Sequence, residues 1–521
     1  MAKSKEPSLL NLNIDEFRDK VLGCWTGKNI GGTLGAPFEG GKSMNDVSFY
    51  VQDLKGRPEP NDDLDLQLVW LRTVEENGVY QITPRLLAEY WMNYIIGPWN
   101  EYGVCKANIA AGLYPPLSGS CNNQRWKYSN GAWIRSEIWA CLFAGAPDEA
   151  ARLAYMDACC DHEGEGIYAE MFTASLQAAA FVISDVRELI QIALSKVPAD
   201  CRIAQNVNLA CKLFDDNVEF REARECIVSA NADLGWFQAP ANIAFTILAL
   251  LYGGGDFGKT VCLATNCGDD TDCTAATAGA LLGIIHGRSG LPEEWIEPIG
   301  NTIETIAIER FKLIVPETLD ELTERVISQA LLIRLQNPQL MSISANASRI
   351  VPDETEAFYS SEWISRRIWS QSPYALVFDL PYGELVVDYL NSPEVSEGQE
   401  KQVTVRLQNL RPRESIVYLR WELPEGWSIA PSASASQCFT RGYHTEVRFT
   451  IRPGKLNEAF TYVPLKVHLA GRLNSITLQV PFQTQGSVRH CTLGDCGDNA
   501  PVDKPYWDAL DRQLTIAKRL K

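Results

Sequence analysis

The chain has 521 residues, more than one ordinary domain arranges around a single core, so two or three domains are expected, one with a large interior. A formal net charge of -18, with no long run of Lys or Arg, argues against a nucleic-acid partner. The opening "MAKSKEPSLLNLNIDEF" lacks an apolar secretion segment, and no run of about 18 apolar residues follows, so a cytoplasmic protein without a membrane partner is expected.

From about Ile14 to about Gln336 apolar residues recur with helical spacing, as with Leu64, Leu68 and Leu71, and then Ile183, Val186, Ile190 and Leu194. Strand-like alternation is scarce there. Alanine-rich stretches such as "TASLQAAAF" suit close helix packing, so residues 12–340 are expected to form a large all-α domain. The polar, aperiodic "QNPQLMSISANASRIVPDETEAF" opens an expected linker over 341–383.

Over 384–487 the period becomes two: Val403, Val405 and Leu407, then Val447, Phe449 and Ile451, then Val463 to Leu469, then Ile476 to Phe482. With turns such as "LPEGW" and "RPGK" this predicts an immunoglobulin-like β-sandwich, with Pro464 on an edge strand. The tail, 488–521, is expected to end in a helix over "YWDALDRQLTIAKRL". The cysteines are scattered and odd in number, which points to buried thiols, and Cys491 and Cys496 lack the companion pair a metal site would need.

Two acidic clusters carry the chemistry. "GDDTDCTAATAGALLG" crowds Asp269, Asp270 and Asp272 ahead of a small-residue helical run, and "PNDDLDLQLVWL" places Asp62, Asp63 and Asp65 behind Asn61, a good N-cap. A helix N-terminus attracts acidic residues, yet three carboxylates exceed what one cap uses. Two such helix starts meeting would coordinate a hard cation through oxygen and leave water on it for a substrate.

Taken in order, "GCWTGKNIGGTLGAPFEG", "NDDLDLQ", "SNGAWIR", a histidine and "GDDTDCTAATAGALLG" resemble the ADP-ribosylglycohydrolase family, of the dinitrogenase-reductase-activating type. The resemblance covers nearly all of the helical part and none of the sandwich. It implies an all-α fold with a binuclear magnesium or manganese centre that hydrolyses the C1 bond of a ribofuranosyl group. The implied metal ligands are Asn61, Asp62 and Asp63 from one motif and Asp270, Asp272 and Cys273 from the other. Glu39 is the implied acid or base, acting with Asp63 and Asp270. The backbone of Asn130, Gly131 and Ala132 is implied to cradle phosphate or sugar, and His162 to line the substrate cleft. Carboxylates suit this chemistry because glycoside cleavage passes through an oxocarbenium-like state.

Four positions depart from the family pattern. Cys273 replaces a hydroxyl ligand with soft sulfur, which suits magnesium poorly, so that one metal is expected to bind weakly or only one site to fill; Asn61 replaces a threonine; Leu64 stands where a threonine is common; Gly32 stands where an aspartate is common. The substrate is less determined. Trp91, Tyr94, Trp99, Tyr102, Tyr114, Trp126, Tyr128 and Trp133, interleaved with Lys106, Arg125, Lys127 and Arg135, suit an adenine and a diphosphate, stacked sugar rings, or plain core packing. The readings are therefore a metal-dependent ADP-ribosyl glycohydrolase, a furanosidase for another pentofuranosyl or fructofuranosyl glycoside, and a catalytically silent ADP-ribose or sugar binder. The implied partner is a small glycoside or an ADP-ribosylated substrate.

Overall fold

The structure is a computed structural model that describes residues 10–310, 313–409, 414–440 and 444–488. Its first part is helical from Ile14–Gly35 to Leu319–Gln336, around one apolar core that holds Trp25, Trp70, Trp91, Trp133 and Trp139 fully buried. Helices Ala239–Gly253 and Thr271–His286 are buried nearly all round, as their continuous small and apolar residues require. The second periodic stretch becomes a helix at Val186–Leu194, capped by Asp185, so Ile183 lies just ahead of it.

The contact that organises the site is between Ile14–Gly35 and Thr271–His286. Gly23, Gly27, Gly31 and Gly35, four residues apart, line one stripe of the first helix. A β-carbon on any of them would lie 2.0–2.3 Å from a carbonyl oxygen of Gly283, Gly279, Ala275 or Thr271. The two backbones therefore touch at four points over roughly three turns, an approach that only a stripe without side chains permits. At its end Thr271 Oγ1 donates to the Gly35 carbonyl at 2.8 Å, which fixes how the two motifs meet.

The segment 341–383, expected as linker, is built into both halves. Ser342–Ser344 pairs in parallel with Asn11–Asn13, and Asn11 and Asn13 donate side-chain hydrogen bonds to the 345–347 carbonyls. Short helices follow at Pro352–Glu356 and Glu362–Arg367, and strand Ala375–Leu380 already belongs to the β part. Polar side chains fasten it to the N-terminus, while Met341, Phe358, Ile364 and Ile368 reach the helical core at irregular spacing, so no apolar period marks the stretch.

The β part comprises two five-stranded sheets packed through one core, to which Leu385, Val405, Leu407, Val417, Leu465 and Val480 contribute. The alternating residues read from the sequence do face inward: Val403, Val405, Leu407, Phe449, Ile451, Val463, Leu465 and Val467 are buried. Pro464, expected on an edge, lies instead in a central strand, Phe460–Leu469, between Ile476–Thr484 and Ser415–Trp421. It fits there because its carbonyl, and hence its nitrogen, faces Glu422, one residue beyond the end of the neighbouring strand, where no ladder donor is needed. This part docks on the helical domain through Leu113, Leu117 and Cys121, and through a reciprocal pair of amide bonds, both 3.0 Å, between Asn122 and Gln483. The expected terminal helix, Cys491 and Cys496 lie outside the described residues. Among the described residues the cysteines are free thiols, and no helix is long and apolar enough to cross a membrane.

Candidate active site

The glycine stripe delivers the chain to Glu39, just past a short 3-10 turn at Ala36–Phe38. Opposite it, Gly268 and Asp269 both adopt left-handed backbone, at φ 73° and 67°, a conformation glycine takes freely and aspartate tolerates. The two turns are tied: Gly40 N–H donates to the Asp269 carbonyl at 2.8 Å, and Asp269 N–H to that of Gly41 at 2.7 Å. The acidic residues of residues 268–272 are thereby held against Glu39.

Asp270 occupies the N-cap position of Thr271–His286, but its side chain accepts none of that helix's N–H groups. Its Oδ2 takes a 2.6 Å bond from Asn130 Nδ2, while its Oδ1 is buried without a donor among the described residues, as is Oδ1 of Asp272. Oxygens of Glu39, Asp270 and Asp272 lie within 4.8 Å of one another, and so do those of Asp63 and Asp272 with Cys273 Sγ. Asp63, Asp270, Asp272 and Cys273 are buried, whereas Glu39, Asn61 and Asp62 are partly exposed, so the cluster opens on their side. Burial first, and then the neighbouring carboxylates, push Glu39, Asp270 and Asp272 well above the usual carboxylate range. Orphaned, mutually repelling oxygens are the donor set a divalent cation satisfies, so Glu39, Asp270 and Asp272 fit a hard metal ion.

One acid in each motif has a different task. Asp65 accepts the backbone N–H groups of Ile306 and Ala307, each at 2.6 Å, and Asp269 accepts Phe237 N–H at 2.9 Å and Asn242 Nδ2 at 3.0 Å. Both carboxylates are turned from the cluster to hold loops. Asn61 does cap Asp62–Asn77, its Oδ1 accepting Asp63 N–H at 2.7 Å. That oxygen is thus used by the helix, and it is Nδ2 that faces Asp272, at 3.5 Å. The same nitrogen would be 2.4 Å from a β-carbon at position 32, so two departures from the family pattern, Gly32 and Asn61, are neighbours: the absent side chain makes room for the present one.

The sequence did not single out Lys28, Glu137 or Glu101, and it placed Tyr102 only among the aromatic residues. Lys28 Nζ lies 3.4 Å from Asp63 Oδ2 and 3.2 Å from Glu137 Oε2, and donates to the Ile134 carbonyl at 2.6 Å, with both its carboxylate partners buried. Burial works against its charge, but Glu137 and Asp63 hold it above the ordinary lysine value. Glu137 is in turn fixed by Gln67 Nε2 at 2.8 Å and Gln177 Nε2 at 2.9 Å. Tyr102 donates to Asp62 at 3.0 Å. A lysine inside the otherwise small and apolar "GCWTGKNIGGTLG" was the available signal for Lys28.

The "SNGA" turn reaches the acids through Asn130, whose Oδ1 accepts Trp133 Nε1 at 3.0 Å while its nitrogen holds Asp270. Gly131 is pressed against Glu101, whose Oε1 a β-carbon would approach to 2.1 Å; burial raises the Glu101 carboxyl to about 6. Ala132 is fully buried. His162 is also fully buried: its Nε2 lies 3.2 Å from Ser129 Oγ, and its Nδ1 2.8 Å from Asp161, which Arg135 grips with two bonds of 2.8 and 2.9 Å. Instead of lining an open face, His162 stands behind the turn and supports it. Of the aromatic segment, Trp91, Tyr102, Trp126 and Trp133 are core, and Tyr94, Trp99, Tyr114 and Tyr128 are half-buried. Arg125 stacks on Trp126, and Lys127 lies over Tyr128 and pairs with Glu163 at 3.3 Å.

A similar protein, ADP-ribosylarginine hydrolase Tri1 of Pseudomonas putida (strain GB-1), is 40% identical over 63 residues, which are 12% of this chain and 17% of that relative. A family model described as ADP-ribosylglycohydrolase matches residues 13–331, from the cap of the glycine-striped helix to the last long helix, and includes every acid of the cluster. By that match over most of its length, the chain belongs to the ADP-ribosylglycohydrolase family.

Proposed function

We propose that the chain is a divalent-metal-dependent glycohydrolase that cleaves the C1 bond of a ribofuranosyl group, with ADP-ribosyl compounds as its substrates. The observation that carries the reading is the pair of buried oxygens without a donor among the described residues, Asp270 Oδ1 and Asp272 Oδ1, in carboxylates grouped with that of Glu39 at the opening. Magnesium or manganese suits all-oxygen donors; bound there, the ion would supply Lewis acidity to ribose hydroxyls and to water. Glu39, on the open side of the cluster, would bind the ion through one carboxylate oxygen and accept a proton from the attacking water with the other. Asn130 keeps Asp270 oriented, and the Arg135–Asp161–His162 network keeps the Asn130 turn in place. Membership of the family, and the likeness to an ADP-ribosylarginine hydrolase, support ADP-ribose as the recognised group.

One observation favours a second reading, a furanosidase for a phosphate-free glycoside. Near the Asn130 turn, Arg135 is fully buried between Asp157 and Asp161, and Lys127 is paired with Glu163, so neither is offered to a diphosphate. Isothermal titration of ADP-ribose, ribose and a fructose-type sugar, with and without magnesium, decides between them. Magnesium-dependent binding of ADP-ribose but not of the plain sugars is the expected result. A metal-dependent signal from a plain sugar alone would establish the furanosidase.

A further inference from the structure

The two halves of the acidic cluster differ in who satisfies them. In the half formed by Glu39, Asp270 and Asp272, one oxygen of each aspartate is buried without a donor among the described residues. In the half formed by Asp63, Asp272 and Cys273, both oxygens of Asp63 already have partners: Cys273 Sγ donates to Oδ1 at 3.4 Å, and the Lys28 ammonium stands 3.4 Å from Oδ2. Lys28 is held there on three sides, by Asp63, by Glu137 and by the Ile134 carbonyl, and Glu137 is itself locked by Gln67 and Gln177. With its side chain 1% exposed, it has no route to water, so its position is as fixed as that of a bound ion.

We infer that Lys28 is a built-in cation that takes the place of a second metal ion, so this chain holds a single divalent ion, between Glu39, Asp270 and Asp272. A divalent ion at Asp63 would face a like charge across the same carboxylate, in an interior where charges are weakly screened, and would meet sulfur where a hard ion wants oxygen. The Lys28 ammonium meets neither difficulty. It neutralises Asp63, and it does so whether or not divalent ions are plentiful. The inference rests on the metal reading above and sharpens it from two ions to one.

The test is manganese titration of the full-length chain, with bound ions counted by equilibrium dialysis and their coupling read by electron paramagnetic resonance. The wild type is expected to bind one Mn2+ with an uncoupled spectrum. Two spin-coupled ions would overturn the inference and leave the metal reading standing, and no bound ion would overturn both. Cys273→Thr, a conservative change that restores a hydroxyl but keeps Lys28, is expected to remain at one ion; a second ion there would assign the exclusion to Cys273 and sink the role of Lys28. Lys28→Met with Cys273→Thr is expected to gain the second ion, and a cooperatively folded double variant that stays at one would refute the inference equally.

Discussion

The carbonyl oxygen of Gly279 lies 2.0 Å from where a β-carbon of Gly27 would be, and that of Gly27 lies 2.2 Å from where a β-carbon of Gly279 would be. This mutual exclusion brings the start of the second acidic motif beside the end of the first helix, and so sets the spacing of Glu39 from Asp270 and Asp272. Gly27→Ala is therefore expected to force the helices apart, costing about 2–3 kcal/mol by the usual penalty for overpacking. A fall in both melting temperature and metal affinity checks this. An unchanged affinity would mean that the seam does not set the site.

The adjacent acids Asp269 and Asp270 are expected to fail differently. Asp269→Ala frees Phe237 N–H and Asn242 Nδ2, so it should cost stability, roughly 1–3 kcal/mol for buried groups left unpaired. Asp270→Asn should leave the melt nearly unchanged and weaken metal binding by more than the roughly 10–100-fold that loss of a supporting partner costs. Asn130→Ala removes such a partner and should fall within that range. If Asp270→Asn left turnover intact while ligand still bound, metal-assisted catalysis would be untenable.

Glu39→Gln removes a titratable proton but keeps the size of the side chain. Turnover is expected to drop by about 10²–10⁴-fold, the usual contribution of a general acid or base, with a smaller change in KM. Steady-state kinetics on an ADP-ribosyl substrate reads this directly, and a change confined to KM would make Glu39 a binding residue only.

Stability should fall as pH rises while no metal is bound. Asp269, raised to about 6, and Asp65, raised to about 8, owe their shifts first to burial, as do Asp270 and Asp272. Each keeps a proton in the folded chain that the unfolded chain releases near pH 4, so folding binds protons, and the stability present below that value is lost toward the folded one. The metal-free melting temperature is expected to be lower at about pH 8 than at about pH 5.5, and saturating magnesium should raise the value at about pH 8 more. A metal-free melt that is flat across this window would contradict the placement of these carboxyls.

Much of this was legible in the sequence because it is local. Apolar spacing changes from helical to alternating between the two parts, and a cap followed by acids marks each motif helix. Asp270 and Asp272 could be singled out because three carboxylates exceed the needs of one helix start. The family resemblance left Asp65 and Asp269 out of the ligand set, but what they hold instead was not legible, since their partners, Ile306, Ala307, Phe237 and Asn242, lie far along the chain or on another element. Only the tertiary structure showed that Lys28 stands beside Asp63, that His162 is behind its turn, and that Pro464 sits where a neighbouring strand ends. Periodicity records which face of an element is buried. It does not record which buried charge meets which, because that depends on how closely two helices approach, and here four glycines decide it.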